Sequence, residues 1–229
     1  MKLSSVFLLL ILFSTITIGQ EPISPEMKKL WDDFKFSKFV NGEHLNIEPN
    51  YKGSPYKEFD EKKCTPILLN EQKIEGLTIR YNIYQDQMEL KREGVYYVIP
   101  RQREFAAFQL AEHYFKYLIF SENNQINRGN LEVLAEGKCT LYKRFNIFLA
   151  SPQAPKPYQD AKPAEFKRKA DNYFVGVHEK IPIKIKNNKD FIELLPEHQD
   201  KISHFIKKNK IKIREEDDFI KLVEYYNSL

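Results

Sequence analysis

Between Cys64 and Ala150 apolar and polar residues alternate with a period of two, which restricts the chain's fold more than any other feature. Leu77, Ile79, Tyr81 and Ile83 fall on one side, and Thr78, Arg80, Asn82 and Tyr84 on the other, as a half-buried strand requires. Gln85-Asp86 can turn the chain into a second run at 87–91, and Glu93-Gly94 can turn it again into 95–99. Further runs follow at 105–110, 113–120, 131–135 and 138–149. Short β-rich runs with turn residues between them predict an antiparallel meander. Such a sheet must cover one face, so a curled sheet, a sandwich or an open barrel is expected.

The pattern changes at either end of this body. Pro152, Pro155, Pro157 and Pro163 mark 151–169 as an extended connector with polyproline character. It can serve as a docking segment for an aromatic groove or as a stiff spacer lying along the sheet, and the spacer is the simpler reading. Residues 171–177 and 180–186 bracket His178-Glu179 as a hairpin. A short helix is expected over 189–195, capped by Asn187 or Asn188 and stopped at Pro196. A second runs to about residue 208 with Ile202, Phe205 and Ile206 as its apolar stripe. After a link through Ile211 and Ile213, the last spans 215–227 and buries Phe219, Leu222, Val223 and Tyr226. Leu30, Trp31 and Phe34 suggest one more helix within 24–41, and 46–62 reads as loop. The fold class is therefore α+β: an antiparallel β-rich body with short C-terminal helices packed on it. The tail of about 60 residues is small for an independent core, so docking on the body is expected.

The first residues carry an address. Lys2 precedes the apolar run Val6 to Phe13, and Thr17 and Gly19 are small enough for a peptidase site. The run falls short of the ~20 residues a spanning helix needs, so 1–19 reads as a secretory signal peptide. The organisation is then a leader (1–19), a body with its N-terminal helix and loop (20–150), a connector (151–169) and a hairpin-plus-helix segment (170–229). The expected product is exported, periplasmic or extracellular, with no transmembrane segment in the mature chain. Its formal charge is 36 − 32 = +4, which drops to +3 once Lys2 is removed and is too mild to indicate nucleic acid.

Few chemistries are encoded compactly. Cys64 and Cys139 are two cysteines in an oxidising compartment. They could bridge, closing a loop worth about 4–5 kcal/mol in the chain-entropy model, or remain unpaired as buried small hydrophobes. Of His44, His113, His178, His198 and His204, none forms a metal-binding i, i+4 pair with another. There is no nucleophile elbow, phosphate loop or dinucleotide fingerprint, and no cofactor is expected. The densest charge feature is the basic stretch 201–214, followed at once by Glu215-Glu-Asp-Asp218. Helix dipoles account for that order without a ligand. Arg80, Asn82 and Tyr84 share a strand face that is either a stacking surface for carbohydrate or peptide or a second buried face, with burial the commoner fate of strand aromatics.

Four strings identify the chain further: Gly53-Ser-Pro-Tyr56, the run Leu77-x-Ile-Arg-Tyr-Asn-Ile-Tyr84-x-Asp86-x-Met-Glu89, Lys156-Pro-Tyr158, and Leu222-Val-Glu-Tyr-Tyr-Asn227. Over about residues 50–229 the chain resembles an exported family from Bacteroidetes. The resemblance implies export from a Gram-negative cell; it implies no activity and carries over no site. The function expected is a non-catalytic binding or interaction protein of the cell envelope, its partner an envelope protein, peptide or glycan. The alternative is a secreted hydrolase or transferase acting on envelope or polysaccharide material through a dispersed carboxylate pair.

Overall fold

The computed structural model describes residues 37–38, 51–99, 105–155, 157, 160–178 and 180–229. The expected leader and the helix within 24–41 lie outside this set, apart from Ser37 and Lys38. Those two residues form β1 (Ser37–Lys38), and a second short strand is β2 (Tyr51–Lys52). The meander follows as β3 (Lys62–Leu68), β4 (Leu77–Asn82), β5 (Gln87–Arg92), β6 (Val95–Val98), β7 (Phe105–Leu110), β8 (His113–Glu122), β9 (Gln125–Ala135), β10 (Cys139–Arg144) and β11 (Ile147–Ala150). Then come β12 (Ala164–Arg168), β13 (Asn172–Val177), β14 (Ile183–Ile185), and helices α1 (Asn188–Leu194), α2 (Gln199–Asn209) and α3 (Glu216–Asn227).

Strands β8, β9, β10, β13 and β14 close into a five-stranded barrel, each antiparallel to the next. Five strands joined in this way alternate in direction, so the first and fifth run alike and can close only in parallel. The closure between β14 and β8 is indeed parallel, through Ile183 opposite Ser121 and the Ser121 amide donating to the Pro182 carbonyl at 2.8 Å. Phe120, Leu131 and Phe174 fill the interior, with Leu118 and Tyr142 packed against them.

The first three residues of β8 also pair with β7, Phe115 being shared with β9, and from β7 an antiparallel sheet continues through β3, β4, β5 and β6. One core cluster joins this sheet to its neighbours through Phe59, Ile79, Tyr81, Leu90, Leu110, Phe115 and Phe145. Asp86 ties this sheet to the barrel: its carboxylate accepts from the Tyr81 hydroxyl (2.8 Å), the Asn130 amide nitrogen (3.2 Å) and the Asn130 side chain (2.8 Å). Gly129 leaves room for that carboxylate, since a Cβ there would collide with Asp86 Oδ2. On the opposite wall of the barrel, Cys139, Leu141, Val175 and Ile185 meet Phe191, Ile202, Phe219, Leu222 and Val223 from the helices. Asn227 finishes this dock by pairing with the Cys139 backbone, accepting from its N–H and donating to its carbonyl, each at 2.8 Å. The three helices thus pack on the body through one apolar core.

Three details differ from the sequence reading. β9 begins at Gln125, six residues before the predicted run, because Asn123 and Asn124 both adopt positive φ and make a tight hairpin that the polar stretch 125–130 conceals. The run 138–149 breaks in two, with Phe145 turning into the core between β10 and β11. Within 151–169, residues 164–168 form β12, which returns antiparallel along β11, and an outlying Gln153–Lys162 bridge extends the pair.

The bridge considered between Cys64 and Cys139 is not formed: both are buried free thiols. Cys64 lies in the core cluster of the β3–β7 sheet and Cys139 beneath the helices. Burial pushes each thiol up to about 12, which leaves little thiolate at neutral pH. A thiol reagent is therefore expected to label neither cysteine in the native protein at neutral pH and both after denaturation. Rapid native labelling of either would contradict this placement.

Candidate functional site

The outer side of β4, β5 and β6 carries a layered arrangement of tyrosine, arginine and glutamate. Register places Arg80 directly opposite Glu89, and Lys91 opposite Tyr96 on the same side. Arg80 Nε lies 2.6 Å from Glu89 Oε2, and the guanidinium sits 4.1 Å from the centre of the Tyr56 ring and 3.4 Å from that of Tyr96. Glu89 is 0% exposed and Arg80 8%. Glu89 also accepts from the Asn82 side chain (3.2 Å) and the Tyr56 hydroxyl (3.3 Å), so it has several donors around it. Burial, and then the Glu89 charge, raise the Tyr56 hydroxyl well above its ordinary range and keep it a donor. At the rim, hydrogen bonds from Lys91 (2.8 Å) and Tyr96 hold the exposed Glu61 carboxylate below its usual range.

Tyr56 reaches this position because its segment is fixed at both ends. Phe59 is buried in the core, and the Ile83 amide donates to the Pro55 carbonyl at 2.9 Å. Gly53 lets the same segment pass close to β12, where a Cβ would lie 2.7 Å from the Phe166 carbonyl oxygen. Phe166 in turn supports two exposed tyrosines edge-on, Tyr51 at 5.0 Å and Tyr84 at 5.3 Å between ring centres. These are 38% and 39% exposed.

The three residues singled out from the sequence thus separate. Arg80 and Asn82 lie beneath the surface as its polar support, while Tyr84 faces solvent beside Tyr51. Tyr51, Tyr56, Tyr96 and Glu89 complete the arrangement, and the sequence alone does not assign them to it. The parity of Glu89 with Lys91 on the polar side of β5 was the available signal, since a glutamate directly across from Arg80 completes an ion pair.

A second cluster joins β8, β9, β10, β13 and α3. Glu132 pairs through one carboxylate oxygen with His113 Nδ1 and through the other with Lys143 Nζ at 2.9 Å. Lys143 also pairs with Glu216 at 2.9 Å, and Glu216 accepts from the Tyr173 hydroxyl at 3.0 Å. Burial pulls the Lys143 ammonium down, but its bonds and charge contacts with Glu216 and Glu132 outweigh this and leave it raised. Lys143 is in phase with the buried Cys139 and Leu141 on β10, and a cation on that side was the one local hint of the cluster. Its members span more than a hundred positions, so no motif could have assembled it.

Two carboxylates therefore flank one ammonium. Of the other histidines, His178 lies at the β13–β14 turn, His198 occupies the N-cap position of α2 without a side-chain capping bond and His204 is exposed on α2, while His44 is outside the described residues. Among the described residues no group of three or more His, Cys, Asp or Glu is arranged to hold a metal ion, and no helix is long and apolar enough to cross a membrane. Comparison of the chain with protein-family models, with curated proteins and with solved structures finds no match.

Proposed function

We propose that the protein is an exported, non-catalytic binding protein of the cell envelope, and that Tyr51, Tyr84 and the rims of Tyr56 and Tyr96 form its contact face. The observation that carries this reading is the Tyr56–Arg80–Tyr96 stack locked from below by the fully buried Glu89. Tyrosines offer large contact area for few rotatable bonds, and fixing them in advance lowers the entropy cost of binding. Aromatic faces with hydroxyls at the edge suit a glycan, whose sugars present both C–H surfaces and hydroxyl groups. The leader and the family resemblance support an address outside the cytoplasm.

The enzyme alternative would draw on Glu132 and Glu216. A glycoside hydrolase needs one carboxylic acid that can donate a proton and room for substrate between the pair. Here Lys143 occupies the space between them, which favours binding over turnover.

The test is a glycan array, with a peptide array beside it, probed with the native protein and a Tyr51→Ala/Tyr84→Ala variant. Stacked aromatics contribute about 0.5–1.5 kcal/mol each, so the double variant is expected to lose roughly tenfold or more in affinity with its melting temperature little changed. Retained affinity in that variant, or turnover of a glycan abolished by Glu132→Gln, would reverse the proposal.

A further inference from the structure

The basic stretch 201–214 is explained only in part by helix dipoles. Lys207 and Lys208 occupy the last turn of α2, where cations are favoured. Lys201 is near the start of that helix, and Lys212 and Arg214 precede the N-terminus of α3, where a cation is disfavoured. Nor do the neighbouring acids pair with these cations. Glu216 is engaged by Lys143 and Tyr173, and Asp218 accepts from the Lys212 backbone at 3.0 Å. Among the described residues, no ion pair involves Lys201, Lys207, Lys208, Lys210, Lys212 or Arg214. Within 201–214 the six exposed cations meet no acid, and the exposed acids that flank them are Glu197, Asp200, Glu215 and Asp217.

Packing directs these charges outward. Ile202 and Ile206 bury one side of α2, and at 100° per residue Lys201, His204, Lys207 and Lys208 fall on the opposite side. In the link to α3, Ile211 and Ile213 are buried while Lys210, Lys212 and Arg214 are exposed. The outward side of α2 carries no Phe, Tyr or Trp, and its one ring is the exposed His204 imidazole. Phe205, the aromatic of α2, lies half-buried against Tyr225, their ring centres 4.0 Å apart.

We propose that the outward side of α2 and its link to α3 form a peripheral docking surface for an anionic phospholipid bilayer. Cations spread over two adjacent elements match a plane of phosphate headgroups. Contact through ammonium groups alone gives reversible, salt-sensitive adsorption without insertion. This surface is separate from the tyrosine face and does not depend on it.

The experiment is co-sedimentation of the full chain with phosphatidylcholine vesicles and with vesicles containing phosphatidylglycerol, at low and high salt. Partitioning onto the anionic vesicles is expected to exceed that onto neutral ones roughly tenfold at low salt and to weaken as salt rises. A Lys207→Gln/Lys208→Gln/Lys210→Gln/Lys212→Gln variant should lose that excess, the matching Lys→Arg variant should keep it, and Tyr51→Ala/Tyr84→Ala should leave it unchanged. Circular dichroism and melting temperature establish that each variant folds. Equal partitioning onto both vesicles, an undiminished excess in the glutamine variant, or binding to dextran sulfate or duplex DNA without vesicle binding would each overturn the proposal.

Discussion

Replacing Glu89 with alanine is expected to destabilise the protein by about 3–5 kcal/mol, because it removes a fully buried carboxylate that accepts from Arg80, Asn82 and Tyr56. Arg80 is 8% exposed, so little water reaches the site of the lost carboxylate. For a chain of this size the shift in melting temperature is on the order of 10 °C. Removing both charges is expected to cost less: Arg80→Met/Glu89→Leu should recover much of the stability lost by Glu89→Ala, since apolar groups of similar volume often replace a buried pair without penalty. Thermal unfolding of the two variants beside the native protein checks both parts. A double variant no more stable than Glu89→Ala would mean that the pair contributes by geometry that apolar side chains cannot supply. The double variant should also bind ligand less well, because Tyr56 and Tyr96 lose the cation that aligns them.

The second large effect is expected at Lys143. Lys143→Met leaves Glu132 buried beside His113 and takes the cation from Glu216, which keeps its bond from the Tyr173 hydroxyl. A loss of about 3 kcal/mol or more follows from breaking a largely buried ion pair on one side. The pH dependence has a definite sign. The folded ammonium is raised above its ordinary 10.5, so its contribution is complete below that value and is lost as pH rises through the higher folded value. The gap in melting temperature between native protein and Lys143→Met should therefore stay constant from neutral pH to about 10 and narrow above it. A gap that opens instead with rising alkalinity would contradict the assignment of Lys143 as the charged partner.

These two clusters show what a single sequence can and cannot reveal. Alternation in 77–83 places Ile79 and Tyr81 inside correctly, and the spacing of Phe219, Leu222, Val223 and Tyr226 gives the buried side of α3. Asn187 caps α1 as expected, accepting from the amides of Lys189 and Asp190. Each of these is a local regularity whose cause lies within a few residues. Closure of the barrel is not local. It depends on β14 meeting β8 across about sixty residues, through a three-residue strand whose sequence, Ile-Lys-Ile, has no feature marking it as a parallel partner. Strand β12 was hidden by the prolines that precede it, although Phe166 is what supports Tyr51 and Tyr84.

The candidate face was legible by half for the same reason. Parity groups Arg80, Asn82 and Tyr84, but β4 ends at Asn82 and Tyr84 lies in the turn beyond it, so parity does not say which of them meets water. That is decided by Glu89 from the next strand and by Tyr56, which the chain delivers from a segment with no periodicity. Burying an arginine is costly unless a carboxylate is placed against it, and the register of β4 with β5 supplies one. The cluster at Lys143 was less accessible still, because its five side chains come from five elements.

The most direct test of the tyrosine face is a heteronuclear NMR titration of the native protein with the best-binding compound from the glycan and peptide arrays. Chemical-shift changes are expected to centre on Tyr51, Tyr56, Tyr84 and Tyr96, with the Arg80 side chain responding through its stacked neighbours. Changes centred instead on His113, Glu132 and Lys143, with the tyrosines unaffected, would contradict the account.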